Sequence, residues 1–418
     1  MSKTTLIGPF SQILPMTNLK VNGPIRDGDL ELIEDGGIVI NKGRIEKIGP
    51  YRELKSQLAG GDFSELYLKG SHVCLPGFID AHTHICYGGS RARDYAMRNA
   101  GKSYLEIARE GGGIWDTVTK TRESSEEELV EGIVKRAKRH LKNGVTTIEV
   151  KSGYGLSVEA ELKMLRAIAE ADALIPQDLI PTCLAAHICP RDFDGSPEDY
   201  LDMIIQELFP QIIEQNLCRR VDIFVEESAF TTLEAETYLL RAREMGFKLT
   251  VHADQFSPGG SELAVKLGAI SADHLEASTE KEIKLLAGST VIATALPGAS
   301  LGLGCAFTPA RRILDAGGAL AIASDHNPGS GPMGDLLTQA AILGAFEKLS
   351  NAEVIAGITF RAAAALGLED RGTMRVGSQA DLAVFHTAHY NEILYNQGNL
   401  KPCMVWKNGQ LAYDKHKM

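Results

Sequence analysis

The sequence predicts an α/β protein: a (β/α)8 TIM-type barrel with a small β-sandwich domain formed by both chain termini. Three observations lead there. Short apolar runs alternate with amphipathic segments through residues 75–371, the pattern of parallel strands joined by helices. Helix-start signals stand between most of these runs. Strand-and-turn patterns of another kind occupy the two chain ends, which divides the chain into a composite β domain, 1–74 plus 372–418, and a barrel, 75–371.

In the terminal domain, Gly36-Gly37-Ile38-Val39-Ile40 and Gly43-Arg44-Ile45-Glu46-Lys47-Ile48-Gly49 read as a hairpin around Asn41-Lys42. The β signal returns at Gly377–Phe385 and Met404–Gln410. In the middle, eight strands are expected: Cys74–His84, Thr146–Lys151, Thr182–His187, Val221–Glu226, Lys248–His252, Ala269–His274, Val291–Leu296 and Leu320–Asp325. Ser125-Glu126-Glu127-Glu128, Thr279-Glu280-Lys281-Glu282 and Ser350-Asn351-Ala352-Glu353 read as capping boxes, and Ser196-Pro197 places Pro at a first helical position.

Composition narrows the function. The chain has 418 residues, 44% of them hydrophobic, enough for a large core. A net charge of -11 makes it a poor binder of nucleic acid or anionic membrane. The start, Met1-Ser2-Lys3-Thr4-Thr5-Leu6, shows no apolar signal region, and no apolar run reaches the ~18 residues of a membrane helix. Seven cysteines without CxxC spacing suit reduced thiols in a cytoplasmic setting.

A barrel of this kind carries its active site at the C-terminal strand ends. The expected ends hold His82 and His84, Lys151, His187, Glu226, His252, Asp273 with His274, and Asp325. Five of the eleven histidines thus fall at strand ends. On a strand, His82 and His84 would share a face. His82, His84, His252 and Asp325 form a set suited to one divalent ion, with a position left for water. Such an ion lowers the pKa of its water, and Asp325 is the candidate general base. His274 would orient the water or polarise a carbonyl. The alternative for Asp325 is a helix N-cap; for His187 and His274 it is a hydrogen-bonded core histidine. Glu226 reads as a carboxylate satisfied inside the barrel.

The stretch Pro76-Gly77-Phe78-Ile79-Asp80-Ala81-His82-Thr83-His84 resembles the amidohydrolase superfamily of metal-dependent hydrolases. Gly144–Thr147, His252, Asp273-His274 and Ser324-Asp325 follow in that superfamily's order. Within it, the motifs are similar to those of the imidazolonepropionases, ring-opening enzymes of histidine degradation. These are Tyr104-Leu105-Glu106-Ile107 with Gly111-Gly112-Gly113-Ile114, Lys151-Ser152-Gly153-Tyr154-Gly155-Leu156, Glu161-Leu162-Lys163-Met164-Leu165, Ala186-His187, Ser271–Glu276, Leu296–Ala299 and Asn327-Pro328-Gly329. The resemblance implies hydrolysis of 4-imidazolone-5-propanoate to N-formimidoyl-L-glutamate. It implies one Zn or Fe ion, a small substrate with a carboxylate tail, and a homodimer. It also implies substrate contacts: Arg91 clamping the carboxylate, Tyr154 through its hydroxyl, His187, and Asn327, Gly329 and Ser330 lining the pocket.

Two positions depart from the family pattern. Gln255 stands where Glu is usual, in His252-Ala253-Asp254-Gln255. An amide holds a ring by hydrogen bonds but shuttles no proton, so a proton role would pass to Asp325 or His274. His326 follows Asp325 in place of Cys or Phe, as an outward-facing residue or an extra ligand or proton carrier. Gln255 argues against a cytosine- or guanine-type deaminase, which uses the Glu. The absence of Lys from Val221–Glu226 argues against a binuclear hydrolase. A non-catalytic scaffold would have lost ligands that are all present here.

Overall fold

The structure, a computed structural model, describes residues 4–102 and 104–417; residues 1–3, 103 and 418 and the side chains of Tyr104, Leu105 and Ala108 lie outside the described part. We number the barrel strands β1 (Phe78–Asp80), β2 (Val145–Lys151), β3 (Asp178–Ala186), β4 (Arg220–Ile223), β5 (Lys248–Ala253), β6 (Ser271–His274), β7 (Ile292–Ala295) and β8 (Ala319–Ile322). They pair in chain order, every neighbour parallel. The seam between β8 and β1 closes just past the strand ends. There Asp325 N–H donates to the His82 carbonyl at 3.1 Å, and His84 N–H to the His326 carbonyl at 3.0 Å.

The expected strand Cys74–His84 is two strands. Val73–Pro76 belongs to the terminal sheet, between Thr4–Ile13 and Leu382–Phe385. The chain then turns into the barrel at Gly77. A Cβ there would lie 2.4 Å from Thr146 Oγ1, so only glycine lets β1 approach β2 at this crossing. β1 itself stops at Asp80, and His82 and His84 lie beyond it. Thr83 keeps the segment extended: its N–H and hydroxyl bond the side chain and carbonyl of Glu149, and it forms a parallel bridge with His326.

Both chain ends build one eight-stranded sheet, in which Leu382–Phe385 links the C-terminal strands to Val73–Pro76. Ile7, Phe10, Ile38, Cys74, Leu382, Val384 and Trp406 share its core, so each end buries the other's apolar face. The first hairpin turns at Lys42-Gly43, one residue later than expected, with φ of 50° and 77°. Both centres of such a turn are left-handed, which Gly43 adopts freely. A Cβ on it would meet the Asn408 carbonyl at 2.8 Å.

All four expected helix starts are present. Ser125, Ser196, Thr279 and Ser350 are N-caps, each with a reciprocal capping box, and Pro197 occupies the first turn. The helix after β8, Leu336–Glu347, is capped by Asp335, which leaves Asp325 free of that duty. No described helix is long and apolar enough to cross a membrane.

Candidate active site

At the mouth of the barrel, His82, His84 and His252 converge through their Nε2 atoms. His84 Nε2 lies 3.2 Å from that of His82 and 3.3 Å from that of His252. Asp325 joins from one side, its Oδ1 3.4 Å from His84 and 3.8 Å from His82. All four are buried. Among the described residues the three histidines form a group whose donor atoms all lie within 4.8 Å of one another.

Two carboxylates set how these rings point. His82 Nδ1 is 2.7 Å from Asp273 Oδ2, and His252 Nδ1 is 2.7 Å from Asp222 Oδ2. A carboxylate accepts, so the hydrogen bond at His82 and the close negative charge at His252 both favour a proton on Nδ1 and a lone pair on Nε2. Burial holds His82 and His84 well below the usual histidine range and brings His252 to about 4, which keeps all three neutral. Facing lone pairs in a dry site repel unless a cation lies among them. Among the described residues Asp325 Oδ1 is buried there without a hydrogen-bond partner. Donors on a tetrahedral ion, about 2.0–2.1 Å from it, stand roughly 3.3 Å apart, close to the separations seen here. The residues therefore fit a divalent ion.

Beneath the rings lies a buried charge network. Lys151 Nζ bridges Glu149 Oε1 at 2.8 Å and Asp222 Oδ2 at 2.9 Å. Burial alone would raise the Asp222 carboxyl; His252 and Lys151 beside it hold it well below the ordinary range. The backbone is strained around the site. His274, Leu275 and Asp325 have φ of 88°, 72° and 45°, a region that residues with a Cβ rarely adopt.

His274 sits within 5.3 Å of His252, ring to ring, with its Nδ1 3.5 Å from Glu276 Oε2. Burial alone would lower His274, but the Glu276 charge raises it. His187 stacks on His84 at 5.5 Å, and its Nδ1 meets the Gly153 carbonyl at 3.0 Å, with no hydrogen bond to Nε2 among the described residues. Tyr154 is buried with its ring 5.9 Å from His84 and 5.4 Å from His187. Its loop is pinned by Glu161, which accepts the N–H groups of Gly153, Gly155 and Leu156. That bond set connects two of the sequence motifs.

Beyond β8, Asn327 Oδ1 accepts the N–H groups of Gly329 and Ser330, each at 2.8 Å, and its Nδ2 donates to the Asp325 carbonyl. The amide is thus engaged in shaping the loop. Arg91 lies against Gly329, where a Cβ would come within 2.5 Å of its Nη1. Gln255 is half-buried on the loop past β5. Glu226 holds that loop by accepting Phe256 N–H at 2.8 Å and Ser257 N–H at 3.1 Å. His326 turns away from the three histidines. It is buried with Nδ1 2.9 Å from His140 Nε2, so it is no extra ligand. Asp222, Glu161 and Glu276 were missed as site residues. A charged residue inside an otherwise apolar run was the available signal for Asp222.

Residues 73–412 match the model of the amidohydrolase family. An imidazolonepropionase of Myxococcus xanthus is 43% identical over 381 residues, 90% of this chain and 90% of that protein. One of Alkaliphilus oremlandii is 37% identical over 413 residues, 97% of this chain and 98% of that protein. Among solved structures, a zinc-bound adenosine deaminase from Xanthomonas campestris has a TM-score of 0.71 at 19% identity, covering 99% of this chain and 94% of that one. A guanine deaminase of E. coli has 0.71 at 16% identity, covering 99% and 100%. At such identities the likeness is one of fold.

Proposed function

The chain belongs to the amidohydrolase family and, within it, to the imidazolonepropionases, and from that premise we propose how its barrel mouth performs the reaction. The protein is a hydrolase of histidine degradation, opening the ring of 4-imidazolone-5-propanoate at one amide C–N bond to leave N-formimidoyl-L-glutamate. The observation that carries the reading is the convergence of His82, His84, His252 and Asp325 beside Tyr154, whose ring lies 5.9 Å from that of His84.

One ion, zinc or iron, held by those four residues would supply Lewis acidity, acidifying an attacking water and polarising the ring carbonyl. Asp325 takes the proton of the attacking water. Burial lifts it to about 6, basic enough to accept a proton yet ionised at pH 7. His274, with Nδ1 facing Glu276, donates through Nε2 to the oxyanion that develops on the carbonyl. Asp325 returns its proton to the departing ring nitrogen. Gln255 holds the ring by hydrogen bonds and moves no proton.

At the other end of the substrate, Arg91 pairs with the propanoate. The Tyr154 hydroxyl and His187 Nε2 hold the substrate between the two ends. Gly329 and Ser330, shaped by Asn327, line the same side. We place the reaction in a reducing cytoplasm, since the seven cysteines are free thiols. Fresh imidazolonepropanoate added to metal-loaded protein should lose its ring absorbance as N-formimidoylglutamate forms. A filled metal site with no turnover would overturn the assignment.

A further inference from the structure

The glycine run Gly111-Gly112-Gly113 plays no part in the reaction as described, yet it closes on one buried carboxylate. Asp94, only 6% exposed, lies in the first turn of the Ala92–Asn99 helix. Its Oδ2 accepts Arg91 Nε–H at 2.8 Å and Gly113 N–H at 2.8 Å. Gly112 packs on the other oxygen, where a Cβ would stand 2.5 Å from Oδ1. Among the described residues Arg91 is thereby held by hydrogen bond through Nε alone, with Nη1 against Gly329 on the β8 loop. Seven residues on, Arg98 Nη2 donates to the Gly329 carbonyl at 3.2 Å, so the same helix grips that loop from a second point.

A guanidinium has a free edge suited to a carboxylate only if its stem is fixed, because an untethered arginine spends rotamer entropy on every binding event. We infer that Asp94 is a positioning residue for substrate selection: bonded to Arg91 Nε and seated on the Gly111–Gly113 run, it aims the Arg91 Nη edge at the substrate's carboxylate tail. The run is glycine because a Cβ at Gly112 would enter the space of the carboxylate, and because Gly111 and Gly113 turn with φ of 82° and 80°. This inference rests on Arg91 as the tail clamp.

The test compares two substrates on the metal-loaded full chain: the propanoate and the same ring with a neutral propanamide tail. Asp94→Asn keeps an acceptor for Gly113 but loses the charge. It should raise KM for the propanoate about tenfold, with kcat within about twofold and the propanamide KM unchanged. Gly112→Ala, which presses on the carboxylate from the other side, should do the same. In the double variant with Arg91→Ala, Asp94→Asn should add nothing further, since the group it positions is gone. An equal KM rise for both tails, or penalties that multiply in the double variant, would overturn the positioning role. If Arg91→Ala leaves the propanoate KM unchanged, the clamp itself is wrong. If Arg91→Ala raises KM while Asp94→Asn and Gly112→Ala do not, the clamp stands and only the inference about Asp94 falls.

Discussion

His252 and Asp222 meet at 2.7 Å through Nδ1 and Oδ2, and Lys151 Nζ stands 2.9 Å from that same oxygen. The lysine keeps the carboxylate ionised, the carboxylate keeps the proton on Nδ1, and Nε2 is left with its lone pair facing His84. Removing the carboxylate should free the ring to choose the wrong tautomer. Asp222→Ala is expected to weaken metal binding about 10–100-fold, the usual effect of losing such an orienting partner. Competition with a chelator reads this directly, and unchanged affinity would contradict the orienting role.

Arg91→Ala should weaken binding of the substrate while leaving the metal in place. Loss of a charge-assisted pair corresponds to a KM rise of about 10–100-fold. Metal content and KM measured on one preparation separate the clamp from the metal site. Loss of metal in this variant would mean that Arg91 supports the fold of the mouth instead.

Glu161 is buried 0% exposed and gathers three backbone N–H groups of the loop that carries Tyr154. Truncation would strand those donors away from water. Glu161→Ala should cost about 1–3 kcal/mol for each donor left unpaired, lowering the denaturation midpoint. It should raise KM as well, because Tyr154 loses its fixed place. A variant with normal stability and normal KM would show that the loop holds itself.

His140 gives a pH signature remote from the three histidines. Burial pushes it down to about 4 in the folded protein. An unfolded histidine titrates near ~6.5, so between those values the unfolded chain binds the extra proton. Its contribution to stability is therefore present above about pH 6.5 and is lost as pH falls toward 4. Denaturation midpoints followed across that window should fall more steeply for the wild type than for His140→Gln. Equal slopes would mean that His140 titrates in the folded protein as it does in the unfolded chain.

The legible part of this protein is local. Strand alternation, the caps at Ser125, Ser196, Thr279 and Ser350, and the order of the metal-set residues follow from short-range periodicity and hydrogen bonding, which act over a few residues. The break at Gly77 was not legible, because it depends on the approach of Thr146 from the next strand.

By itself the sequence determined the barrel, the terminal β domain and the four residues that gather at the mouth. Only the tertiary structure decided what holds them. His82 takes its orientation from Asp273, 191 residues away, and His252 from Asp222, 30 residues earlier on the adjacent strand. His326 proved to face His140 and not the site, since its side of the backbone is set by the bridge between Thr83 and His326 where the barrel closes. Partners of this kind exist only once closure has chosen which strand ends are neighbours. A lone carboxylate in an apolar run carries its charge in the sequence, but its partner is chosen by the fold.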